Sequence, residues 1–472
     1  YLLSLPPSQR QLVPAHQVVK WHRLLRLSNR LEEQQKEQRL AFAMQPGILF
    51  VNDDQGESPN PEVGKLLRAH LQAHLPTPSR FEQPSQGRIL LVHPSFQPPG
   101  GGNGVAAWML QALQQKYSVT VLCWAPPRWA AVDAYFGTQL AQAPVSTLTI
   151  PWLWRKLVAP IPSWIGSLAL SALLLRRAKQ LAAGSDYDLV IGSHCESDFG
   201  RAGLQYVHFP RTHHPWHHVD PIWYRLPPLR AIVHALDRLS HAVAGFSKTG
   251  MLLNRTLVNS RWTGRLFHKL HGRQPQVLYP PAAGDFPATS WQEREDGLVC
   301  ISRFAEDKRL LMVFDIVQQL RQRGHRLPLH LVGSPDSPAL TQHLRRLAQL
   351  HSDWFFLHQD LPREQLTRLV SRYRYGIHGM AEEHFGMAVA EMVRAGSIVL
   401  VPRGGGQVEI VGEDDTLTYT SPQQAVDNLE KVLNNPELQA QLRQKLAQQA
   451  QRLSPQAFMT RFLEVVEDCL QG

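Results

Sequence analysis

The sequence predicts an α/β protein with two doubly wound parallel sheets, preceded by a mainly helical N-terminal extension. From Arg88 onward, short apolar strands alternate with helical patterns, the order expected of a parallel sheet with helices on both faces. A second series of the same kind begins with a strand at 298–302, after a linker at 280–297. At 472 residues, of which 43% are hydrophobic, the chain is long enough for two or three domains with sizeable cores.

We expect four segments along the chain. They are an N-terminal extension with a linker at 1–85, a first α/β domain at 86–285, a second at 286–455 and a C-terminal helix at 456–472. The extension shows an amphipathic helical pattern over 14–43, and it ends in a stretch rich in Pro, Ser and Gln at 75–87.

The formal net charge of +10 predicts an acidic partner, for which nucleic acid, anionic lipid and phosphorylated substrates are candidates. The chain has no zinc-finger pattern, ribonucleoprotein motif or dense Lys/Arg tract, so nucleic acid is not expected as a partner. Its four cysteines lie far apart without a CxxC pair, which argues against a zinc site or a disulfide framework and indicates a reducing compartment.

The sequence shows no apolar run of the ~18 residues that a membrane-spanning helix needs, and its start lacks a signal-peptide pattern. We therefore expect a cytoplasmic protein, or one bound peripherally to the cytosolic face of a membrane. Residues 150–180 are the candidate contact, because Trp152, Trp154 and Trp164 stand there beside Arg155 and Lys156. An ordinary core helix with an irregular approach explains the same residues.

The first α/β domain opens with a strand at 89–93, a loop at 94–103, a helix at 105–115 and a strand at 118–124. The glycines of Gly100–Gly104 suggest a dinucleotide fingerprint, but they come well after the strand, and the second strand ends without an acidic residue for a ribose. Nicotinamide chemistry is therefore not expected. A glycine-rich loop without any ligand remains the alternative to a phosphate-binding one.

Histidines are concentrated after a later strand of this domain, which ends at His208. His213, His214, His217 and His218 have spacings that permit a metal site, but no acidic or cysteine ligands accompany them. We expect no metal. A short apolar stretch at 243–247 is interpreted as another strand of the first sheet.

The stretch at 377–412 of the second domain has the pattern of a functional site. Glu383 precedes a short helix and Glu391 lies two turns into it, so both carboxylates can face a crevice beside the helix N-terminus. Such an N-terminus suits a phosphate, and carboxylates suit sugar hydroxyls. The alternative is that Glu391 lies on a solvated stripe and pairs with Arg394.

This motif resembles the family-4 retaining glycosyltransferases. The resemblance rests on Glu383-x7-Glu391 with His384-Phe385-Gly386 after the first glutamate, and on the glycines and Glu409-Ile410-Val411 that close the stretch. Together with Tyr206-x-His208-Phe209-Pro210, it is most similar to the mannosyltransferases that extend lipid-linked oligosaccharides. It implies the GT-B arrangement, two facing Rossmann-like domains in which the second holds the nucleotide-sugar and the first the acceptor. It also implies that the last helix crosses back onto the first domain.

The resemblance further implies hexosyl transfer with retention of configuration, without a metal or a cofactor, onto a glycan or lipid-linked acceptor in polysaccharide or glycolipid biosynthesis. It assigns a role to each matching position. For the nucleotide, it implies that Arg303 and Lys308 bind the diphosphate, that Gly333 lies near the base and that Glu391 binds the ribose. It also implies that Glu383 lies at the donor sugar and that the residues after it surround the donor, namely His384, Phe385, Gly386 and Met387. In the first domain, it implies that His208 lies at the reacting centre and that the glycine-rich loop approaches the donor phosphates or the acceptor through Gly101, Gly102, Asn103 and Gly104. Without the motif downstream, a surface pair bridged to Glu306 or Asp307 would be the better explanation of the two cations.

Arg403 and Gly406 depart from the family pattern, in which small residues and proline are usual, so the donor sugar stays open. Mannose is the favoured sugar, and a GDP- or UDP-linked donor is expected. Two other classes compete with this interpretation. The first is a non-catalytic relative that binds sugars or serves as a scaffold, which would have no reason to keep Arg303, Lys308, Glu383 and Glu391. The second is a nucleotide-sugar epimerase or dehydrogenase, but this sequence lacks the glycine fingerprint and a suitably placed Tyr-x-x-x-Lys pair of those enzymes.

Overall fold

The computed structural model describes residues 86–97, 100–143, 145–158, 163–210 and 227–471. The helical pattern predicted at 14–43 and the four clustered histidines at 213–218 lie outside these residues. The predicted α/β class with two doubly wound domains is confirmed, because the described part of the chain forms two entirely parallel sheets of seven and six strands. No helix in this part is long and apolar enough to cross a membrane.

The first sheet has the strand order β3-β2-β1-β4-β5-β6-β7. Its elements are β1 (Arg88–Val92), α1 (Gly101–Leu113), β2 (Ser118–Cys123), α2 (Trp129–Phe136), β3 (Ser146–Thr149), α3 (Trp152–Val158), α4 (Ser163–Ala182), β4 (Leu189–Gly192), β5 (Leu204–Val207), α5 (Pro227–Ala244), α6 (Lys248–Met251), β6 (Arg255–Val258), α7 (Arg261–His271) and β7 (Gln276–Val277). Ile89 and Leu91 pack into one buried cluster, Leu90 and Val92 into another. Both faces of this strand are thus covered, which explains its unbroken apolar run.

The second sheet has the order β10-β9-β8-β11-β12-β13 and one large core. Its elements are β8 (Glu295–Ile301), α8 (Leu310–Gln322), β9 (Leu329–Gly333), α9 (Pro338–Leu350), β10 (Phe355–Gln359), α10 (Arg363–Arg372), β11 (Tyr373–Ile377), α11 (Met387–Arg394), β12 (Ile398–Pro402), α12 (Gln407–Ile410), β13 (Thr418–Tyr419), α13 (Pro422–Leu433), α14 (Pro436–Arg452) and α15 (Pro455–Gln471).

Strand order reverses once in each sheet, between β1 and β4 in the first and between β8 and β11 in the second. At such a switch point the loops leaving the carboxyl ends of neighbouring strands run to opposite faces and leave a crevice, which is where open parallel sheets bind ligands. The predicted site residues follow the carboxyl ends of strands in both domains.

The C-terminal helix α15 packs against α1 of the first domain, and Phe458 and Phe462 are buried in that domain's core. The stretch at 243–247 is not a strand, contrary to the prediction. Its first two residues are the end of α5, and the place in the sheet is taken by β6. An apolar last helical turn followed by glycine resembles a short buried strand in sequence, because a run this brief shows no period.

Candidate functional site

Two helix N-termini meet between the domains. Helix α1 begins at Gly101, so the glycine-rich loop is its first turn and the helix starts four residues earlier than predicted. A Cβ added to Gly101 would lie 2.9 Å from Met387 Cγ, at the first residue of α11, and one added to Gly102 would lie 3.3 Å from His208 Nε2. The unpaired N–H groups and positive ends of both helices therefore lie at one cleft, which suits an anion such as a diphosphate.

Three strand ends of the first sheet bring histidines together beside this glycine turn. His93 Nδ1 lies 3.2 Å from the carbonyl oxygen of Ser193, and His208 Nε2 lies 3.1 Å from the same oxygen. His93 Nε2 lies 3.1 Å from Asn103 Oδ1, and the Asn103 amide donates to the carbonyl of Gln97 at 2.7 Å. Asn103 thus anchors the first turn of α1 to the strand behind it.

These histidines are neutral. Burial, with a further contribution from His194, lowers the pKa of His93 to about 3. Burial and the neighbouring imidazoles of His194 and His93 likewise lower the pKa of His208 to about 3. Because Nε2 donates to the Ser193 carbonyl, the other ring nitrogen of a neutral His208 can only accept a hydrogen bond, and it brings no charge to the reacting sugar.

In the second domain, Lys308 and Glu383 form an ion pair. Lys308 Nζ lies 2.7 Å from Glu383 Oε2, and their side chains are 12% and 21% exposed. His378, at the end of β11, places Nε2 3.3 Å from the same carboxylate oxygen. Burial alone would raise the pKa of Glu383, but the hydrogen bond from His378 and the charge of Lys308 outweigh it and hold the pKa far below its usual value.

Glu391 has a different partner from the one its spacing suggested. Arg363, the first residue of α10, places Nη1 2.8 Å from Glu391 Oε1, whereas Arg394 donates to the carbonyl of Ala282. Burial raises the pKa of Glu391, and the charge of Arg363 opposes this increase. The two glutamates of the motif are thus both partly buried, each paired with a cation from an earlier loop or helix.

Arg303 lies apart from both carboxylates. Its side chain is 58% exposed and pairs with Asp336, so the structure does not join it to Lys308. Gly333 ends β9, where a Cβ would lie 1.7 Å from the carbonyl oxygen of Ser302. Gly333 is therefore required for the packing of this strand end against its neighbour, whatever ligand lies nearby.

The loop at 384–386 is fixed by contacts with the first domain. Ser260 donates through Oγ to the carbonyl of His384 at 2.7 Å, and the His384 ring stacks on Phe209 with centroids 4.0 Å apart. Burial lowers the pKa of His384 to about 4. Phe385 is buried in the second core, so only its backbone can face a ligand. Gly386 has φ +107°, a left-handed conformation that favours glycine.

The glycines at 404–406 lie directly behind that loop. A Cβ on Gly404 would lie 2.4 Å from the carbonyl oxygen of Ala381, and one on Gly405 would lie 2.1 Å from that of Glu383. Gly406 N–H donates to the Glu383 carbonyl at 2.7 Å. These residues allow the turn after β12 to support the backbone of the loop that carries Glu383 at close range.

Glu409, on α12, joins the two domains. Its buried carboxylate accepts from the backbone N–H groups of Arg261 and Trp262, each at 2.9 Å, and from the Tyr279 hydroxyl at 3.0 Å. Arg261 and Trp262 open α7 of the first domain, so a carboxylate of the second domain caps the N-terminus of that helix.

Sequence reasoning missed several residues that complete the site, namely His378, Arg363, Ser260, His93 and Asn259, whose amide donates to the His208 carbonyl at 2.8 Å. Most of them follow or lie near strand ends, which is the signal that could have found them. In the described part of the chain, no group of three or more His, Cys, Asp and Glu side chains could hold a metal ion.

Residues 284–452 match the family model described as Glycosyl transferases group 1. The chain is 26% identical over 262 residues to a Neurospora crassa protein named GDP-Man:Man(3)GlcNAc(2)-PP-Dol alpha-1,2-mannosyltransferase, covering 48% of this chain and 47% of that one. The human protein of the same name is 26% identical over 248 residues, covering 47% and 50%. The chain thus matches about half the length of these curated relatives.

Solved structures share the fold. The Anabaena protein HepE in complex with UDP is similar with a TM-score of 0.54 and 16% identity, over 81% of this chain and 100% of that one. WaaG, described as a glycosyltransferase involved in lipopolysaccharide biosynthesis, is similar with a TM-score of 0.53 and 15% identity, over 79% and 99%. The resemblance seen in the motifs is confirmed: this chain has the GT-B fold of glycosyltransferases, its residues 284–452 match the group 1 glycosyl transferases, and its sequence is similar to that of mannosyltransferases.

Proposed function

We propose that this chain transfers a hexosyl group, with mannose favoured, from a nucleotide-sugar to a glycan or lipid-linked acceptor. The observation that carries the proposal is the meeting of the N-termini of α1 and α11 at one cleft, beside the Lys308–Glu383 pair. Two helix ends and a lysine suit the diphosphate of a leaving nucleotide. The mannosyltransferases with which the chain shares sequence support mannose and a lipid-linked acceptor.

In this proposal the second domain binds the donor. Lys308 and the two helix ends stabilise the negative charge that develops on the departing diphosphate, so that the reaction needs no metal ion. Arg303, with its exposed side chain, reaches the diphosphate only by leaving Asp336. Glu391 accepts hydrogen bonds from the ribose hydroxyls, and Glu383 from hydroxyls of the sugar.

The first domain brings the acceptor. Neutral His208, next to Gly102, orients the reacting hydroxyl or the donor sugar through a hydrogen bond. We further propose that configuration is retained. Because Glu383 already binds Lys308 and His378, it serves this scheme as an acceptor of sugar hydroxyls and not as a nucleophile.

Calorimetric titration of the whole chain with GDP, UDP, GDP-mannose and UDP-glucose tests the donor site. We expect one nucleotide family to bind, and Lys308→Met to weaken that binding at least about tenfold, because a charge-assisted contact contributes about 1.5–3 kcal/mol. Lys445→Met is the matched control, since Lys445 pairs with Asp414 while its side chain is 67% exposed. A folded protein that binds none of the four ligands would refute the proposal, and binding without transfer would favour a non-catalytic relative.

A peripheral membrane contact through α3 is the second part of the proposal. This helix follows the carboxyl end of β3, on the same edge of the first sheet as His208, and it exposes Trp152 (59%), Leu153 (54%), Trp154 (49%) and Leu157 (57%). Lys156 lies over the Trp152 ring at 4.6 Å. Exposed tryptophans beside cations suit the interface of an anionic membrane and would bring the cleft to a lipid-linked acceptor.

Co-sedimentation with vesicles of anionic phospholipid at low salt tests this contact. We expect binding by the native chain and its loss in the double variant W152S/W154S. The control is Leu350→Ser, because Leu350 is an apolar side chain of the second domain with 76% exposure. Equal sedimentation of the native chain and the double variant would contradict a contact through α3.

A further inference from the structure

Arg363 connects the predicted ribose-binding glutamate to the segment between the two domains. Its guanidinium places Nη1 2.8 Å from Glu391 Oε1 and donates through Nη2 to the carbonyl of Ala283. Within the described part of the chain, Arg363 is the hydrogen-bond donor to the Glu391 carboxylate, and it contacts Oε1. The Arg363 side chain is 22% exposed and that of Glu391 15%, which makes this pair far less screened than a surface pair.

The segment from Ala282 to Phe286 is shaped around this arginine. Gly284 has φ +131°, and a Cβ there would lie 2.7 Å from Arg363 Nη2. The guanidinium also lies over the Phe286 ring at 6.0 Å. Any other residue at this position would strain the backbone and would displace the guanidinium from its place.

Arg394 provides a natural comparison. It holds the same segment, since it donates to the carbonyl of Ala282 and lies over the Phe286 ring at 5.5 Å. It does not hydrogen-bond to Glu391, although the two residues lie on one helix. Arg363 and Arg394 thus share the linker contact and differ in the contact with Glu391.

The charged and titratable groups around Glu391 come from five parts of the chain. Arg363 faces it from α10 and Arg394 from its own helix, while Tyr135 of α2 interacts electrostatically with it from the first domain. Asp285 of the linker interacts with Arg394, and Asp360, in the loop before α10, with Tyr135. Arg363 is therefore the cation that most directly balances this buried carboxylate.

We propose that Arg363 is a positioning residue, which holds the Glu391 carboxylate in place for the ribose hydroxyls of a nucleotide and fastens it to the linker between the domains. The ribose as ligand rests on the proposed function, whereas the pairing does not. A bound nucleotide would then act on the same residue that secures the linker.

The first test needs no ligand. Urea unfolding is measured at pH 5, 6.5 and 8 for the native chain, R363M, R394M and R363K, each with and without E391Q. Burial raises the pKa of Glu391, and removing Arg363 raises it further, so R363M should lose more stability at pH 8 than at pH 5. E391Q should abolish that pH dependence. R363K should restore most of the stability at pH 8. R394M should show a smaller difference between pH 8 and pH 5 than R363M, because Arg394 acts on Glu391 by its charge alone and more weakly than Arg363.

The second test is the pH dependence of nucleotide binding by the same variants, between pH 5.5 and 8. We expect R363M to lose affinity as the pH falls, by up to about tenfold per pH unit below the pKa of Glu391, because a protonated carboxyl accepts ribose hydroxyls less well. The native chain, R363K and R394M should show much weaker dependence.

Losses of stability that are equal in R363M and R394M at every pH would overturn the proposal, because Arg363 would then serve the linker alone. Normal nucleotide binding by R363M at every pH would overturn it as well. If the native chain bound no nucleotide while the unfolding data came out as expected, the proposed function and the ribose would be rejected and the pairing upheld. The two failures are therefore distinguishable.

Discussion

Glu383 owes its ionised state to two neighbours that oppose the effect of burial. Lys308 and His378 both contact its Oε2 oxygen, at 2.7 and 3.3 Å. An ionised carboxylate in a partly buried place is costly unless it is paired, so these contacts keep an acceptor of hydrogen bonds ready at the cleft. The charge of Lys308 in turn needs this carboxylate, because a lysine side chain that is only 12% exposed is costly to bury without a partner.

Replacing Glu383 by glutamine should destabilise the protein by about 2–4 kcal/mol at pH 7, because it leaves Lys308 poorly paired. The pKa of Glu383 is depressed in the folded chain, so its contribution is present above the ordinary value of 4.5 and is lost as the pH falls through the folded value. The difference between native and E383Q unfolding free energies should therefore shrink below about pH 4.5. A difference that stays constant from pH 7 to pH 4 would contradict this account.

A sequence motif marks several residues of the candidate site, whereas nothing in the sequence marks their partners. Glu383, Glu391 and Lys308 stand out in the sequence by motif. Arg363 lies 28 residues before Glu391, and Ser260 lies 124 residues before His384. Such pairs are set by which strands are neighbours, a property that no local pattern contains. Arg303 shows the opposite case, because it occupies a motif position and yet its side chain is largely exposed to solvent in the folded chain.

The turn after β12 can support the loop that carries Glu383 because its glycines have no side chains and lie close to that loop. Gly405 has φ +72°, and Gly272, which ends α7, has φ +73°. They differ in their surroundings, since a Cβ on Gly272 would have no atom within 4 Å, whereas one on Gly405 would lie 2.1 Å from the carbonyl oxygen of Glu383. The two positions therefore separate backbone strain from steric overlap.

Gly272→Ala should cost about 1–2 kcal/mol, the strain of a left-handed conformation. Gly405→Ala should cost clearly more, because the loop around Glu383 must also move, and it should weaken nucleotide binding while Gly272→Ala does not. Unfolding free energies and calorimetric titration of both variants check this. Equal effects of the two substitutions on stability and binding would count against the support role of this turn.

Strands and helices were predictable from apolar runs and periods, usually within a few residues of their observed ends. The strand predicted at 89–93 occurs as Arg88–Val92. Helix α1 begins earlier than predicted. Glycine has a low helix propensity, so the sequence did not indicate a helical first turn, but close packing against Met387, His208 and Phe136 accommodates one there. Tertiary contacts decided this boundary.

Polar contacts on one side of the cleft and helix α15 hold the two domains together. Glu409 caps α7 across the boundary, and its side chain is 4% exposed. Glu413 pairs with the same Arg261 at 2.8 Å but is 56% exposed. The two glutamates thus offer a comparison of a buried and an exposed link between the domains.

Glu409→Gln should destabilise the molecule by about 2–4 kcal/mol, because two N–H groups and the Tyr279 hydroxyl lose a charged acceptor. It should also lower the pKa of Tyr279, which burial and Glu409 raise to about 12. Glu413→Gln should change the stability by less than about 0.5 kcal/mol. Thermal unfolding and a spectroscopic titration of tyrosine measure both effects, and equal losses in the two variants would exclude Glu409 as the main link.

The course of α15 has a consequence for synthesis on the ribosome. Phe458 and Phe462 complete the core of a domain whose last strand ends at Val277, so 194 residues separate that strand from the end of the helix at Gln471. At about 5–20 residues per second, the first domain waits roughly 10–40 s for this helix. During that interval an apolar face of α1 stays uncovered, and a nascent chain in this state is a natural client for chaperones.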